Sequence, residues 1–71
     1  MTDAALIRVN GEDEQLAAAT VAALLKEKSI DAGERGIAIA INGSVVPRAA
    51  WAETPLRAGD RVEIVRARQG G

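Results

Sequence analysis

The sequence predicts an α+β domain in which a mixed sheet of four to five short strands carries one helix packed across one face. Three observations lead there. One stretch, Thr20 to Lys28, has helical periodicity, and the flanking apolar segments alternate with a strand-like period of two. Two Asn-Gly pairs, at 10–11 and 42–43, sit between such alternating segments, and Asn-Gly favours two-residue hairpin turns because both positions accept positive φ. The chain has 71 residues, enough for one small core and two layers.

Taken in order, Leu6-Ile7-Arg8-Val9 reads as a strand with Ile7 and Val9 on one face. After the Asn10-Gly11 turn, the return strand is expected near Glu14–Ala17. Glu12-Asp13-Glu14 then falls at the hairpin tip, where three carboxylates read as a solvated turn rather than a metal site. Thr20 is placed to cap a helix, and Val21, Leu24 and Leu25 share one stripe, with Lys28 laying its stem along the edge. Lys26 and Lys28 complement the helix dipole near the expected end at Lys28-Ser29, and Ile30 is expected to tuck back beneath it. The polar loop Asp31–Gly36 contains a Gly-x-x-Gly spacing, but it follows a helix and lacks the lysine-hydroxyl ending of a phosphate loop.

Ile37-Ala38-Ile39-Ala40-Ile41 alternates large with small, which suits a strand packed on one face and lightly covered on the other. Asn42-Gly43 turns the chain into Val45-Val46, and Pro47 makes that return strand an edge. Ala49–Ala52 reads as a brief helical turn, broken at Thr54-Pro55, with Leu56 an apolar anchor beyond it. Ala58-Gly59-Asp60 turns into a last strand, Arg61–Val65, with Val62 and Ile64 facing in. The expected core is Ile7, Val9, Leu16, Val21, Leu24, Leu25, Ile37, Ile39, Ile41, Val62 and Ile64, with Trp51, the sole aromatic residue, as its cap.

Composition excludes several functions. Without cysteine there is no disulfide, thiolate nucleophile or redox motif, and without histidine the commonest metal ligand and general base are missing. The chain is therefore not expected to be an enzyme. Net charge is −1, so neither nucleic acid nor an acidic membrane is an expected partner. Residues 1–35 carry four basic and seven acidic side chains and residues 36–71 five and three, which leaves −3 and +2, with the positive half leading to the C-terminus. No apolar run approaches the roughly 20 residues of a membrane span, and no signal-peptide pattern opens the chain, so a cytoplasmic protein is expected.

The segment Ile39-Ala40-Ile41-Asn42-Gly43-Ser44-Val45-Val46-Pro47-Arg48, with Trp51, Leu56, Gly59-Asp60-Arg61-Val62 and a final Gly70-Gly71, resembles the ThiS family of thiamine-biosynthesis sulfur carrier proteins. Those proteins have a ubiquitin-like β-grasp fold, and the resemblance covers nearly the whole chain. It implies a β-grasp domain over residues 1–66 and a flexible tail, residues 67–71, disordered beyond about Arg68 when unbound. It further implies that the Gly71 carboxylate is adenylated by an ATP-dependent, E1-like activating enzyme and then converted by a persulfide sulfur donor to a thiocarboxylate. That sulfur would pass to a thiazole synthase. No cofactor is expected on this chain; ATP and magnesium belong to the activating partner.

The double glycine suits such a role, since a side chain at Gly70 or Gly71 would widen a backbone that must thread a narrow pocket. Arg66, Arg68, Gln69 and Gly70 form the segment expected to thread the partner, the arginines meeting acidic groups there or serving solubility. Arg66-Ala67-Arg68-Gln69 is less apolar than the family pattern and resembles ubiquitin instead, which leaves the tail's readers open. Three other readings stand beside this one. They are the small subunit of molybdopterin synthase with the same chemistry, a modifier conjugated to lysines, and a β-grasp interaction domain whose glycines are incidental.

Overall fold

A computed structural model describes residues 5–66. The elements run β1 (Leu6–Val9), β2 (Glu12–Gln15), α1 (Val21–Glu27), β3 (Ile37–Ile41), β4 (Ser44–Val46), a 3-10 turn (Arg48–Ala50) and β5 (Arg61–Arg66). The five strands form one sheet in the order β2-β1-β5-β3-β4. β5 lies at its centre, parallel to β1 and antiparallel to β3. This is the mixed sheet with a single helix that the sequence predicts.

Both Asn-Gly pairs make tight hairpins. Asn10 and Gly11 have φ of +51° and +85°, Asn42 and Gly43 +52° and +86°, so all four central positions use the left-handed region that primed turns demand. One consequence corrects the expected return strand. A two-residue turn lets pairing start at once, with Val9 opposite Glu12 and Leu6 opposite Gln15. β2 therefore occupies residues 12–15 and not 14–17, and the three carboxylates lie on a strand rather than on a loop tip. Apolar alternation misleads here because β2 is an edge strand made of Glu-Asp-Glu-Gln, with no inward apolar residue to mark it. Two of its three carboxylates are paired: Arg8 Nε meets Asp13 at 3.2 Å, and Lys28 Nζ meets Glu14 at 2.6 Å, tying the end of the helix to the edge.

The helix is seven residues long and owes its existence to its ends and its buried face. Thr20 Oγ1 accepts from Ala23 N–H at 3.2 Å, as expected of an N-cap. Two more N–H groups of the first turn find distant partners, Val21 on the Thr54 carbonyl at 3.1 Å and Ala22 on the Trp51 carbonyl at 3.1 Å. At the other end Ser29 N–H donates to Lys26 C=O and Ile30 N–H to Leu25 C=O, with Ser29 at φ +60°. This is a Schellman closure with serine where glycine is usual, and it folds Ile30 back against the core.

The core contains Ile7, Val9, Val21, Leu24, Leu25, Ile37, Ile39, Val62 and Ile64 from the predicted set. Trp51, Leu56 and Ala18 join them as buried members, while Leu16 and Ile41 are only half-buried at its margin. Leu16 follows the edge strand and Ile41 abuts the β3–β4 turn, positions where the helix gives less cover. Ala49–Ala52 is displaced as a helical turn to Arg48–Ala50, because Pro47, fixed at φ −61°, starts it one residue earlier. The opposite face of the sheet bears Ala38, Val45 and Val65, with Val45 and Val65 well exposed.

A feature absent from any local pattern holds β5 on its β1 side. β1 pairs directly with β5 only as far as Val62. Beyond that the Asn10 side chain takes over, its Oδ1 accepting from Ile64 N–H at 2.8 Å and its Nδ2 donating to Ile64 C=O at 3.2 Å. A side-chain amide thus substitutes for one more strand residue. Asn42 plays a related part at the start of β5, accepting from Arg61 N–H at 2.9 Å and donating to Asp60 at 3.1 Å.

Two stability outcomes follow. Asn10→Asp keeps an acceptor for Ile64 N–H but sets a carboxylate oxygen against the Ile64 carbonyl; urea denaturation should show a loss of about 1–3 kcal/mol at neutral pH with an unchanged m-value. Ser29→Gly relieves a left-handed residue of its Cβ clash, and the same measurement should show a gain of about 0.5–1 kcal/mol.

Candidate functional site: the end of the central strand

β5 leads toward the glycines, so the candidate site is built from what holds its last residues. On the β3 side the ladder runs Ile41 to Val62, Ile39 to Ile64 and Ile37 to Arg66. Ile37 is the first residue of β3, so Arg66 sits at the end of this pairing. On the other side the Asn10 amide covers Ile64. Val62 and Ile64 are buried and Arg61, Glu63 and Val65 lie on the opposite face, whereas Arg66 continues the inward face but is exposed at the strand's end. The strand is thus anchored through its middle by core side chains and is held at its end by Arg66.

The Arg66 side chain has a partner within the domain. Its Nη2 lies 3.0 and 3.2 Å from the two carboxylate oxygens of Glu34, in the loop between α1 and β3. Both side chains remain about half exposed, at 50% and 40%, so the pair is a surface interaction worth under about 1 kcal/mol. Glu34 itself is held by its backbone. Its N–H donates to Asp31 C=O at 2.9 Å and its C=O accepts from Arg48 Nη2 at 2.7 Å. The Arg48 guanidinium in turn lies 4.5 Å from the centre of the Trp51 ring. Trp51 is 3% exposed and donates its Nε1–H to Val46 C=O at 2.9 Å. It caps the core, as the sequence suggests, while also serving as the base of this chain of contacts.

Of the predicted site residues, Arg66 closes β5 and pairs with Glu34. Arg68, Gln69, Gly70 and Gly71 lie outside the described residues, as does the expectation of a disordered tail. Sequence reasoning did not single out Glu34. It stands 32 positions from Arg66 in a loop whose spacing suggests only a phosphate-loop likeness, and no local signal joins the two. That loop uses its groups internally, with Gly33 N–H on Asp31 Oδ1 at 2.8 Å. Among the described residues, no group of three or more His, Cys, Asp or Glu side chains is placed to hold a metal ion, and no helix is long and apolar enough to cross a membrane.

A mixed five-stranded sheet crossed by one helix, with the last described strand at its centre, defines a β-grasp domain. Comparison with known proteins narrows that class. The model of the ThiS family matches residues 6–71. The crystal structure of a thiamine biosynthesis protein (ThiS) from Geobacter metallireducens has a TM-score of 0.75 at 29% identity, over 93% of this chain and 99% of that one. An NMR solution structure of a thiamine biosynthesis protein from the same organism gives 0.74 at 29% identity, over 93% and 87%. A thiazole synthase of Paramagnetospirillum magneticum is 38% identical over 64 residues, which are 89% of this chain and 19% of that protein. The chain therefore spans about a fifth of the length of that curated relative. The chain belongs to the ThiS family.

Trp51→Phe removes the donor to Val46 C=O and shrinks the surface under Arg48. Thermal and urea unfolding followed by circular dichroism should show a loss of about 1–3 kcal/mol. Amide chemical shifts should move at Glu34 and Arg66 as well as around position 51.

Proposed function

We propose that this chain carries sulfur on the Gly71 carboxylate and delivers it for formation of the thiazole ring of thiamine. The family match that runs to residue 71, on a domain whose central strand leads there, carries this reading. A carboxylate is a poor electrophile because its leaving group would be oxide. Adenylation by an ATP-using, E1-like partner with magnesium makes AMP the leaving group and releases pyrophosphate. A persulfide donor then attacks the acyl carbon through its terminal sulfur and displaces AMP. A thiol must next cleave the sulfur–sulfur bond to leave the thiocarboxylate.

In this scheme the chain itself supplies no acid, base or nucleophile, a reading supported by the absence of cysteine and histidine from the sequence. It supplies a rigid body and a threadable terminus, and it acts in the cytoplasm beside its partners. Gly70 and Gly71 let the backbone approach the adenylating site closely. Arg68 and Gln69 precede them in the threading segment, and Arg66 roots that segment in the sheet. The name of the Paramagnetospirillum magneticum relative, a thiazole synthase, supports thiazole formation as the destination over molybdopterin.

Intact-mass analysis after incubation with an adenylating enzyme, ATP and a persulfide donor should show the increment for sulfur replacing one oxygen, located at Gly71 by fragmentation. Gly71→Ala should lower the rate of that conversion at least about tenfold, a barrier increase near 1.4 kcal/mol, without lowering the unfolding midpoint. An unmodified protein, with partners shown to be active on another carrier, would sink the proposal. Transfer assays with thiazole synthase and with the large subunit of molybdopterin synthase then separate the two destinations.

A further inference from the structure

The Glu34–Arg66 pair has little value for stability, yet it is supported more firmly than a surface pair usually is. Exposed ion pairs are weak largely because two flexible side chains must be ordered at once. Here the backbone that carries the acceptor is held in advance, because the Glu34 N–H and C=O are both engaged, the latter by an Arg48 that lies on buried Trp51. Arg66 therefore docks onto a carboxylate borne by a restrained stretch of loop, and fewer torsions remain to be ordered. It does so at the last pair of the β3–β5 ladder, beyond the reach of the Asn10 amide at Ile64. Two restraints meet next to residue 66: the ladder that pairs Val65 with Ala38 and sets Arg66 opposite Ile37, and the guanidinium on Glu34.

Position matters because residue 66 is the root of the segment ending at Gly71. Five residues span up to roughly 17 Å when extended, so a modest rotation at the root moves the far end by several ångströms. Building on the carrier reading above, we propose that Glu34 is a positioning residue for the acyl terminus. By holding Arg66 it narrows the directions in which residues 67–71 leave the domain. More of the population then presents Gly71 where an adenylating enzyme can capture it while the sheet docks beside the entrance. Glu34 touches no reacting atom, so the effect falls on productive capture and not on the chemistry.

The test uses the full chain with Glu34→Gln, Arg66→Gln and the double substitution. Adenylation kinetics should show Glu34→Gln raising KM roughly two- to fivefold at unchanged kcat, the range over which such a surface coupling acts. In the Arg66→Gln background, adding Glu34→Gln should change KM no further. Backbone 15N relaxation should show lower order parameters at Arg66 and Ala67 in Glu34→Gln, with the rest of the sheet unaltered. An unchanged or lowered KM overturns the assignment, as does an undiminished Glu34→Gln effect in the Arg66→Gln background. If the wild-type chain is not adenylated, the carrier reading fails by itself. Relaxation then decides the positioning role, and unaltered order parameters at 66 and 67 overturn it.

Discussion

The structure depends on the restraint of β5 from both sides. A last strand placed at the centre of a sheet must find a parallel partner and an antiparallel one, and neither adjoins it in sequence. β3 supplies the antiparallel ladder along the whole strand. β1 supplies only two direct register positions before it turns away at Asn10. The remaining exposed edge of β5 would leave Ile64 N–H and C=O unpaired next to the core, at a cost comparable to a lost buried hydrogen bond for each. The Asn10 amide covers both. Hairpin geometry and central-strand closure are thereby coupled through one residue, whose left-handed backbone sets the turn and whose side chain extends the sheet.

The same economy appears in the segment between β4 and β5. Residues 51–56 have almost no regular structure, yet they complete the helix. The Trp51 and Thr54 carbonyls receive N–H groups from the first turn of α1, and Leu56 N–H returns to Ala19 C=O at 2.9 Å. Leu56 and the Trp51 ring close the core next to that helix start. A helix of seven residues cannot persist alone in water, since nucleation is costly and few bonds repay it. Tertiary acceptors at its N-terminus and a buried Val21-Leu24-Leu25 stripe make it stable.

For function, the consequence is a body whose central strand is held from both sides as far as Ile64 and on the β3 side to Arg66. A carrier needs a terminus that enters another protein's site and a domain that docks in one orientation outside it. In the carrier role proposed above, those needs fall to separate parts of the chain: the sheet fixes where the terminal segment is rooted, and the glycines would allow close approach to its carboxylate. Arg61 and Arg66 on β5 and the acidic residues of β2 lie on different elements, which gives the domain two differently charged regions despite a net charge of −1.

Local sequence determined the turns, the helix stripe and the inward residues of β1, β3 and β5, because each rests on interactions within a few positions: positive φ at Asn-Gly, a threonine cap, and alternation of isoleucine or valine with small or charged side chains. It also determined that the chain has neither cysteine nor histidine to offer. Tertiary structure decided the rest. The Glu12–Gln15 strand has no apolar face to announce it and is located only by pairing with β1. Asn10 on Ile64, Trp51 and Thr54 on the helix start, and Arg66 on Glu34 join positions about 30 or more residues apart, and no local periodicity encodes such meetings. They exist because burial of a shared core brings those backbones together first, and polar groups then settle on the partners that proximity offers.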